Sequence, residues 1–243
     1  MYGRRTLYES QVFGGDVAID QLGAEASRRG ASRSRDTARI PLTRERVLLA
    51  AVALADREGI AALTMRRLAA EVGYEVMSLY HHVANKGDLL DGMVELVAAE
   101  INVPEPDAPW REALQQSAVD MHAALVRHPW AVSMWFSQIA GPVRMRLMEA
   151  QLGALARSGI DPDLAHVGFH ALLNHVLGYA LQEQTFVVDG DAQELVEQYM
   201  GALSPTEFPN LIAHLQIHVD EAEPADDFNF VLDLILDRLE VGV

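Results

Sequence analysis

The sequence predicts an all-α fold, with an N-terminal three-helix helix-turn-helix domain over residues 41–101 and a larger helical domain over residues 102–243. Apolar residues recur at helical spacing after residue 43, and no segment shows strand-like alternation bounded by turn residues. No internal repeat is detectable. Strong helix starts, with a proline at the first helical position, recur at Gly141-Pro142, Asp161-Pro162 and Ser204-Pro205.

The charge is unevenly distributed along the chain. The formal net charge of −16 argues against a general nucleic-acid binder. However, residues 1–40 carry seven arginines and five acids, whereas residues 102–243 carry six basic and 21 acidic residues. Such an asymmetry indicates one basic end that faces nucleic acid. We expect residues 1–40, which lack an apolar period, to form a flexible basic arm, with a merely solvated tail as the alternative.

Composition also limits the compartment and the chemistry. The absence of cysteine excludes disulfides, thiolate metal sites and a cysteine nucleophile. No secretory signal is found, and no apolar run approaches the roughly 20 residues of a membrane-spanning helix. We therefore expect a soluble, cytoplasmic protein with no membrane partner.

The segment 41–73 predicts the first two helices of a helix-turn-helix. Thr43 is a candidate N-cap for a helix that ends at Gly59. Thr64 is a candidate N-cap for a second, short helix that Gly73 ends.

The following stretch predicts the reading helix and a brace behind it. A short helix is expected over residues 76–83, with Asn85 as the N-cap of a longer helix that runs to about residue 101. Two short helices joined by a glycine turn and braced by longer ones form a helix-turn-helix. The proline-rich segment 102–109 is the expected domain boundary. Later helices are expected at about 109–127, 129–139, 142–158, 162–185, 191–201, 205–219 and 226–240.

The helix over residues 76–83 has one apolar face and one polar face. Val76, Leu79 and Val83 share the apolar face. The other face presents hydroxyl, phenol and imidazole groups beside a flexible thioether, a mixture suited to a DNA major groove, from Met77, Ser78, Tyr80, His81 and His82. The one lysine of the chain, Lys86, lies at the start of the next helix, where the helix dipole already favours a phosphate. A half-exposed surface without function is the alternative.

These motifs resemble the tetracycline-repressor (TetR) family of transcriptional regulators. The resemblance rests on G-I-A-A-L-T-M-R-R-L-A-A-E-V-G at 59–73 and L-Y-H-H-V-A-N-K-G-D-L-L at 79–90. Weaker matches to the tetracycline-repressor branch are H-P-W at 128–130, G-P at 141–142 and F-N-F-V-L-D-L-I-L-D-R-L at 228–239. The resemblance implies a homodimer that binds double-stranded, palindromic operator DNA and is released by an unknown small-molecule effector. Repression is the family default.

The resemblance also assigns roles to individual residues. It implies that the DNA is contacted by Thr64, Arg66, Val76, Met77, Ser78, Tyr80, His81 and His82, with Lys86 on a phosphate. Val76 departs from the family pattern, because the tetracycline repressors carry a hydrogen-bonding glutamine at this position. A valine contacts only thymine methyl groups, so we expect a different operator.

The C-terminal domain contains candidates for a ligand cavity and a dimer interface. Polar side chains interleaved with apolar ones suggest a ligand site formed by His122, Trp130, Met134, Trp135, Phe169, His170, Asn174 and His175. Ordinary core packing and a dimer interface remain alternatives. In the resembled family the last helix pairs with the helix over residues 162–185 in a four-helix bundle across a twofold axis, which suggests interface residues Tyr179, Gln182, Phe228, Val231, Leu232, Ile235 and Leu239.

Other functions leave weaker signals. The pairs His166/His170 and His214/His218 have metal-compatible spacing, but two histidines alone do not predict a metal, and no cofactor is expected. A helical enzyme or carrier with a histidine-rich interior is an alternative, although no nucleophile motif, phosphate loop or catalytic carboxylate pair is recognisable. The second alternative is a scaffold protein that retains the fold without binding DNA.

Overall fold

The computed structural model describes residues 41–136, 140–186, 192–220 and 227–240. Within these ranges every regular element is helical, with eleven α-helices and one 3-10 turn at Ile60–Ala62. The all-α prediction is therefore confirmed. The predicted arm over residues 1–40 lies outside the described residues, as does the side chain of His218.

The first four helices form as the capping residues predict, at α1 (Arg44–Glu58), α2 (Met65–Val72), α3 (Val76–Leu79) and α4 (Lys86–Ala98). Thr43, Thr64 and Asn85 each accept a hydrogen bond from the backbone N–H three residues later, at 3.2, 3.2 and 3.0 Å. Gly73 ends α2 in the left-handed conformation, with φ 72°, which glycine adopts without strain. The turn between α2 and α3 follows from this residue.

The reading helix is shorter than predicted. The expected helix over residues 76–83 is wrong in length, since α3 covers Val76–Leu79 and residues 80–82 form a turn. The N–H of His82 donates to the carbonyl of Leu79 at 2.8 Å, which is the tighter three-residue pattern. On the predicted apolar face, Leu79 and Val83 are nevertheless buried and Val76 is half-buried, so this face holds the segment on the core.

Seven further helices follow, at α5 (Trp110–Arg127), α6 (Trp130–Met134), α7 (Pro142–Arg157), α8 (Pro162–Phe186), α9 (Ala192–Ala202), α10 (Pro209–Asp220) and α11 (Asp227–Glu240). The long helix α8 packs against both α5 and α11, and α7 packs against α5 and α8. Helix α4 contacts α1 on one side and α5, α6 and α7 on the other. The buried apolar side chains of α1 to α8 and of α11 consequently form one continuous core.

Three further helix bounds differ from expectation. Helix α4 ends at Ala98 rather than at about residue 101. Helix α6 ends at Met134 rather than 139, and residues 137–139 lie outside the described part. Helix α10 begins at Pro209, so the predicted start at Ser204-Pro205 is wrong. The physical reason is Pro209 itself, which lacks the N–H that a helix begun at Pro205 would need there and disfavours helical backbone before it.

In the part of the chain that the structure describes, no helix is both long and apolar enough to cross a membrane. The division at residues 102–109 stays a prediction.

Candidate nucleic-acid interface and ligand cavity

The predicted reading residues form an exposed surface around α3. Met77 is 69% exposed and Tyr80 43% exposed. His81 is also exposed, whereas Ser78 and His82 are half-buried. Donors, an acceptor hydroxyl and a thioether therefore project from one short helical turn, as direct readout of base edges requires.

The remaining residues that are predicted to contact DNA lie on α2, at the start of α3 and at the start of α4. Arg66 is exposed on the first turn of α2, and Thr64 is the exposed N-cap of the same helix. Lys86 is exposed at the first position of α4. Val76 is half-buried and packs against the core, which leaves it little surface for a base.

Arg44 fixes the turn that follows α3. It donates to the carbonyl of His82 at 2.9 Å and to the two carboxylate oxygens of Asp88 at 2.9 and 2.6 Å. Asp88 also accepts the N–H of Ala84 at 2.7 Å. The hydrogen bond from Arg44, and then that from Ala84, stabilise the carboxylate and hold the pKa of Asp88 below its usual value. These bonds explain why the backbone leaves the helix here, because Ala84 donates to a side chain instead of to a helical carbonyl.

The Arg44–Asp88 pair belongs to the candidate site, although no sequence pattern predicts it. The two residues are 44 positions apart, and helical periodicity reports only neighbours along the chain. The N-cap pattern at Asn85 places Asp88 on the first turn of α4 but does not identify its partner.

A small apolar cavity lies between α5 and α8. Its volume is 20 Å³, enough for about one water molecule. Leu114 and Met121 of α5, Phe169 and Val176 of α8, and Gln151 of α7 line it. Phe169 is therefore the one member of the predicted ligand set that lines this cavity.

An aromatic cluster lies between the same two helices and α11. The ring of Phe228 stacks on those of His122 and His175, with centroids 4.2 and 5.0 Å away. Tyr179 meets all three rings edge-on. His122 Nε2 lies 2.7 Å from a carboxylate oxygen of Glu183. The structure thus joins two predicted ligand residues with two predicted dimer residues.

The other predicted ligand residues are dispersed. Trp130 and Trp135 are buried and Met134 is half-buried, at α6 rather than at the cavity. His170 and Asn174 are exposed on the outer face of α8. A wider cleft of 410 Å³ lies between residues 102–108 and α5, and none of the predicted ligand residues lines it.

The predicted dimer residues divide between the interior and the surface. Phe228, Leu232 and Leu239 are buried within the chain, against α8, while Ile235 is half-buried. Val231 and Gln182 are exposed. Periodicity shows that a helix has an apolar stripe, but it does not show which of its residues a neighbouring helix of the same chain covers.

The outward faces of α8 and α11 carry apolar side chains that the sequence reading missed. These are Val167, Leu181, Phe230 and Leu234, which are 53 to 64% exposed. An apolar face of this kind is typical of an interface between subunits.

Comparison with known proteins finds two family matches, which together cover most of the chain after residue 46. Residues 103–243 match the family described as "Tetracyclin repressor-like, C-terminal domain", and residues 47–93 match "Bacterial regulatory proteins, tetR family". The chain is 35% identical over 216 residues to the HTH-type transcriptional repressor DrrR1 of Streptomyces coeruleorubidus, covering 83% of this chain and 78% of that one. It is 32% identical over 199 residues to the tetracycline repressor protein class A from transposon 1721 of Escherichia coli, covering 79% and 88%. The crystal structure of the Streptomyces coelicolor TetR family protein ActR in complex with actinorhodin is similar with a TM-score of 0.71 and 30% identity, over 84% of this chain and 99% of that one.

Proposed function

Since this chain belongs to the TetR family of bacterial transcriptional regulators, we propose that it is a cytoplasmic repressor that binds a palindromic DNA operator as a homodimer. A small molecule releases it from the operator. In this proposal residues 41–101 bind the DNA, residues 102–243 bind the effector and form the dimer, and the protein acts as a regulator and not as an enzyme.

The observation that carries the proposal is the exposed surface around α3. Met77, Tyr80 and His81 project from a single turn whose backbone Arg44 and Asp88 hold in place. Met77 and His81 contact base edges and set the sequence preference. Tyr80 and Lys86 contact phosphates and hold the protein on any duplex.

The dimer follows from the exposed apolar faces of α8 and α11. In a twofold dimer each copy presents the same surface, so the apolar face of one chain packs against the same face of the other chain. Two copies of α3 separated by roughly one turn of DNA, about 34–36 Å, then read the two halves of a palindrome. A single helical turn contacts too few bases to specify an operator. The second copy of α3 in the dimer contacts the other half of the palindrome and so supplies the remaining specificity.

The effector site is centred on the cavity between α5 and α8. Its volume of 20 Å³ holds no drug-sized molecule, so the effector binds a conformation in which these helices separate. A ligand that prefers this conformation shifts the population toward it and away from the DNA-binding form. Apolar walls and the amide of Gln151 favour a largely apolar effector with one hydrogen-bonding group. The complex of ActR with actinorhodin supports a small-molecule effector.

Selection from a random pool of duplex DNA tests the proposal directly. We expect enrichment of a palindrome, bound by two chains, with an affinity that falls steeply as salt rises because counterions are released. Met77→Ala and His81→Ala should change the enriched sequence, and Tyr80→Ala should weaken binding to all sequences.

The matched control is Glu75→Gln, an exposed residue directly before α3 whose side chain makes no capping hydrogen bond. It should leave the enriched sequence unchanged. A folded, dimeric protein that enriches no sequence would contradict the proposal and favour a scaffold role.

A further inference from the structure

The H-P-W segment at residues 128–130 joins the helices at the N-terminal end of the fold to those at the C-terminal end. His128 follows the last residue of α5 and is 8% exposed. Among the residues that the structure describes, His128 is one of three buried polar or charged residues, and the other two are Ser117 and Arg144. The proposed DNA and effector sites use neither nitrogen of this imidazole.

Both ring nitrogens of His128 contact carboxylates from the N-terminal helices. Nδ1 lies 2.9 Å from Oδ1 of Asp56, in the last turn of α1, and Nε2 lies 2.9 Å from Oε1 of Glu100, two residues beyond α4. The indole Nε1–H of Trp130 donates to the same oxygen of Asp56 at 2.6 Å. A single imidazole therefore connects the carboxyl-terminal ends of α1 and α4 to the junction of α5 and α6.

The proton count of the imidazole decides whether both contacts are favourable. A neutral imidazole has one N–H, and its other nitrogen presents a lone pair that would face a carboxylate oxygen. The imidazolium has two N–H groups and donates to both carboxylates in charge-assisted hydrogen bonds. The geometry around His128 thus matches the protonated ring.

The positions of the two acids strengthen this interpretation. A carboxylate near the carboxyl-terminal end of a helix is disfavoured by the helix dipole, so Asp56 and Glu100 need a compensating cation. Arg127 provides part of it, with Nε and Nη2 at 3.1 and 2.5 Å from Glu100. Burial raises the pKa of Glu100, but the hydrogen bonds from Arg127 and His128 outweigh burial and hold the pKa below its usual value.

We propose that His128 is a proton-dependent positioning residue, which fixes α1 and α4 on the C-terminal helices when its ring carries two protons and loosens them when it carries one. The charged groups against it are Asp56 from α1, Glu100 from the segment after α4, and Arg127 from α5. Loss of one ring proton leaves a nitrogen lone pair against a carboxylate oxygen and weakens the connection, and its return restores the connection.

The consequence for DNA binding rests on the proposed function. Helix α4 has 13 residues and is about 20 Å long, so a small change at Ala98 displaces Lys86 and the neighbouring α3 by a larger amount. A loosened connection broadens the range of separations between the two reading helices of a dimer. Operator affinity should then fall as the pH rises.

The test measures the position of the N-terminal helices without DNA. Because the chain has no cysteine, Ala70→Cys on α2 and Ala156→Cys on α7, both exposed, place two spin labels in the full-length chain. Doubly labelled protein mixed with excess unlabelled protein reports the distance within one chain, whether or not the chains dimerise. We expect a narrow distance distribution at about pH 6 and a broad one at about pH 8.

Variants assign the effect to a single ring. His128→Gln cannot carry the charge and should give the broad distribution at both pH values. His166→Gln, which changes an exposed histidine on α8, should keep the response of the unsubstituted protein. Circular dichroism at both pH values verifies that each variant is folded.

An unchanged distribution in the unsubstituted protein between the two pH values would overturn the proposal, and so would a pH response that survives in His128→Gln. If His128→Gln does not fold, the pH series on the unsubstituted protein and on His166→Gln still decides. Operator binding is measured separately. A pH-dependent distance in a protein that selects no operator would contradict the proposed function and support the role of His128. A pH-independent distance in a protein that does select an operator would support the proposed function and contradict the role of His128.

Discussion

The surface around α3 and the cavity between α5 and α8 are built on opposite principles. Around α3 the side chains that we propose to contact DNA are mostly exposed, and charged hydrogen bonds hold the backbone beneath them. Around the cavity the side chains are mostly apolar and pack until 20 Å³ remains. With the sites that we propose, the chain is preorganised for DNA, whereas it gives up packing to admit an effector. Under this proposal the DNA-binding form is the state that the chain adopts without an effector.

The largest expected effect is on the cavity. Phe169→Ala removes a buried ring from its wall and should lower the free energy of unfolding by about 3–5 kcal/mol, from lost burial and an enlarged void. Urea denaturation measures the change. Val126→Ala on α5, where the side chain is 50% exposed, is the control and should change stability by no more than about 0.5 kcal/mol. Equal effects would show that the region around the cavity is already loosely packed.

The next effect concerns the rigidity of the reading surface. Asp88→Asn removes the charge that Arg44 and the N–H of Ala84 share, and should cost about 1–3 kcal/mol of stability. Operator affinity should fall with it, because the turn after α3 is no longer fixed. The control Glu75→Gln removes a charge with no capping role and should change neither quantity. Lost stability with unchanged operator affinity would contradict the preorganisation of this surface.

A smaller expected effect, on DNA affinity, distinguishes a phosphate contact from a base contact. Lys86→Ala should weaken binding to the selected operator and to random duplex alike, and should reduce the slope of log affinity against log salt by about one. The folded state should be unaffected, since Lys86 is exposed. Titrations at several salt concentrations measure the slope. A loss confined to the operator would place Lys86 at a base instead of a phosphate.

The smallest effect is the pH dependence of the Arg44–Asp88 pair. The pKa of Asp88 is lowered from its usual 3.8 in the folded state, so the ionised carboxylate stabilises the fold above that pH. This stabilisation is lost as the pH falls through the lower folded pKa. The difference in unfolding free energy between the unsubstituted protein and Asp88→Asn should therefore shrink on acidification. Urea denaturation from neutral to strongly acidic pH checks this, and a difference that grows in acid would contradict the assignment.

Most of the helices could be predicted because their signals are local. Thr43, Thr64 and Asn85 are capping residues, and each bonds three positions along the chain. Gly73 ends α2 because its backbone adopts a conformation that other residues resist. The polar face around Tyr80 follows from helical geometry alone, given the apolar face that Leu79 buries.

The features that sequence reasoning missed depend on distant residues. The end of α3 is set by Arg44, which lies 38 positions before the carbonyl that it binds. The aromatic cluster brings His122 to Phe228, and the connection at His128 brings together Asp56 and Glu100. Periodicity identifies which side chains face inward, but it does not identify their partners on other helices.

The position of the one lysine has a consequence for covalent chemistry. Arginine guanidinium groups remain protonated at neutral pH and react poorly with acylating reagents, so Lys86 carries the one reactive side-chain amine of the whole chain. An acetyl group there would remove the cation that we assign to a phosphate while leaving the core untouched. The extent of acylation at Lys86, read by mass spectrometry with and without duplex DNA, would then report occupancy of the operator from a single atom.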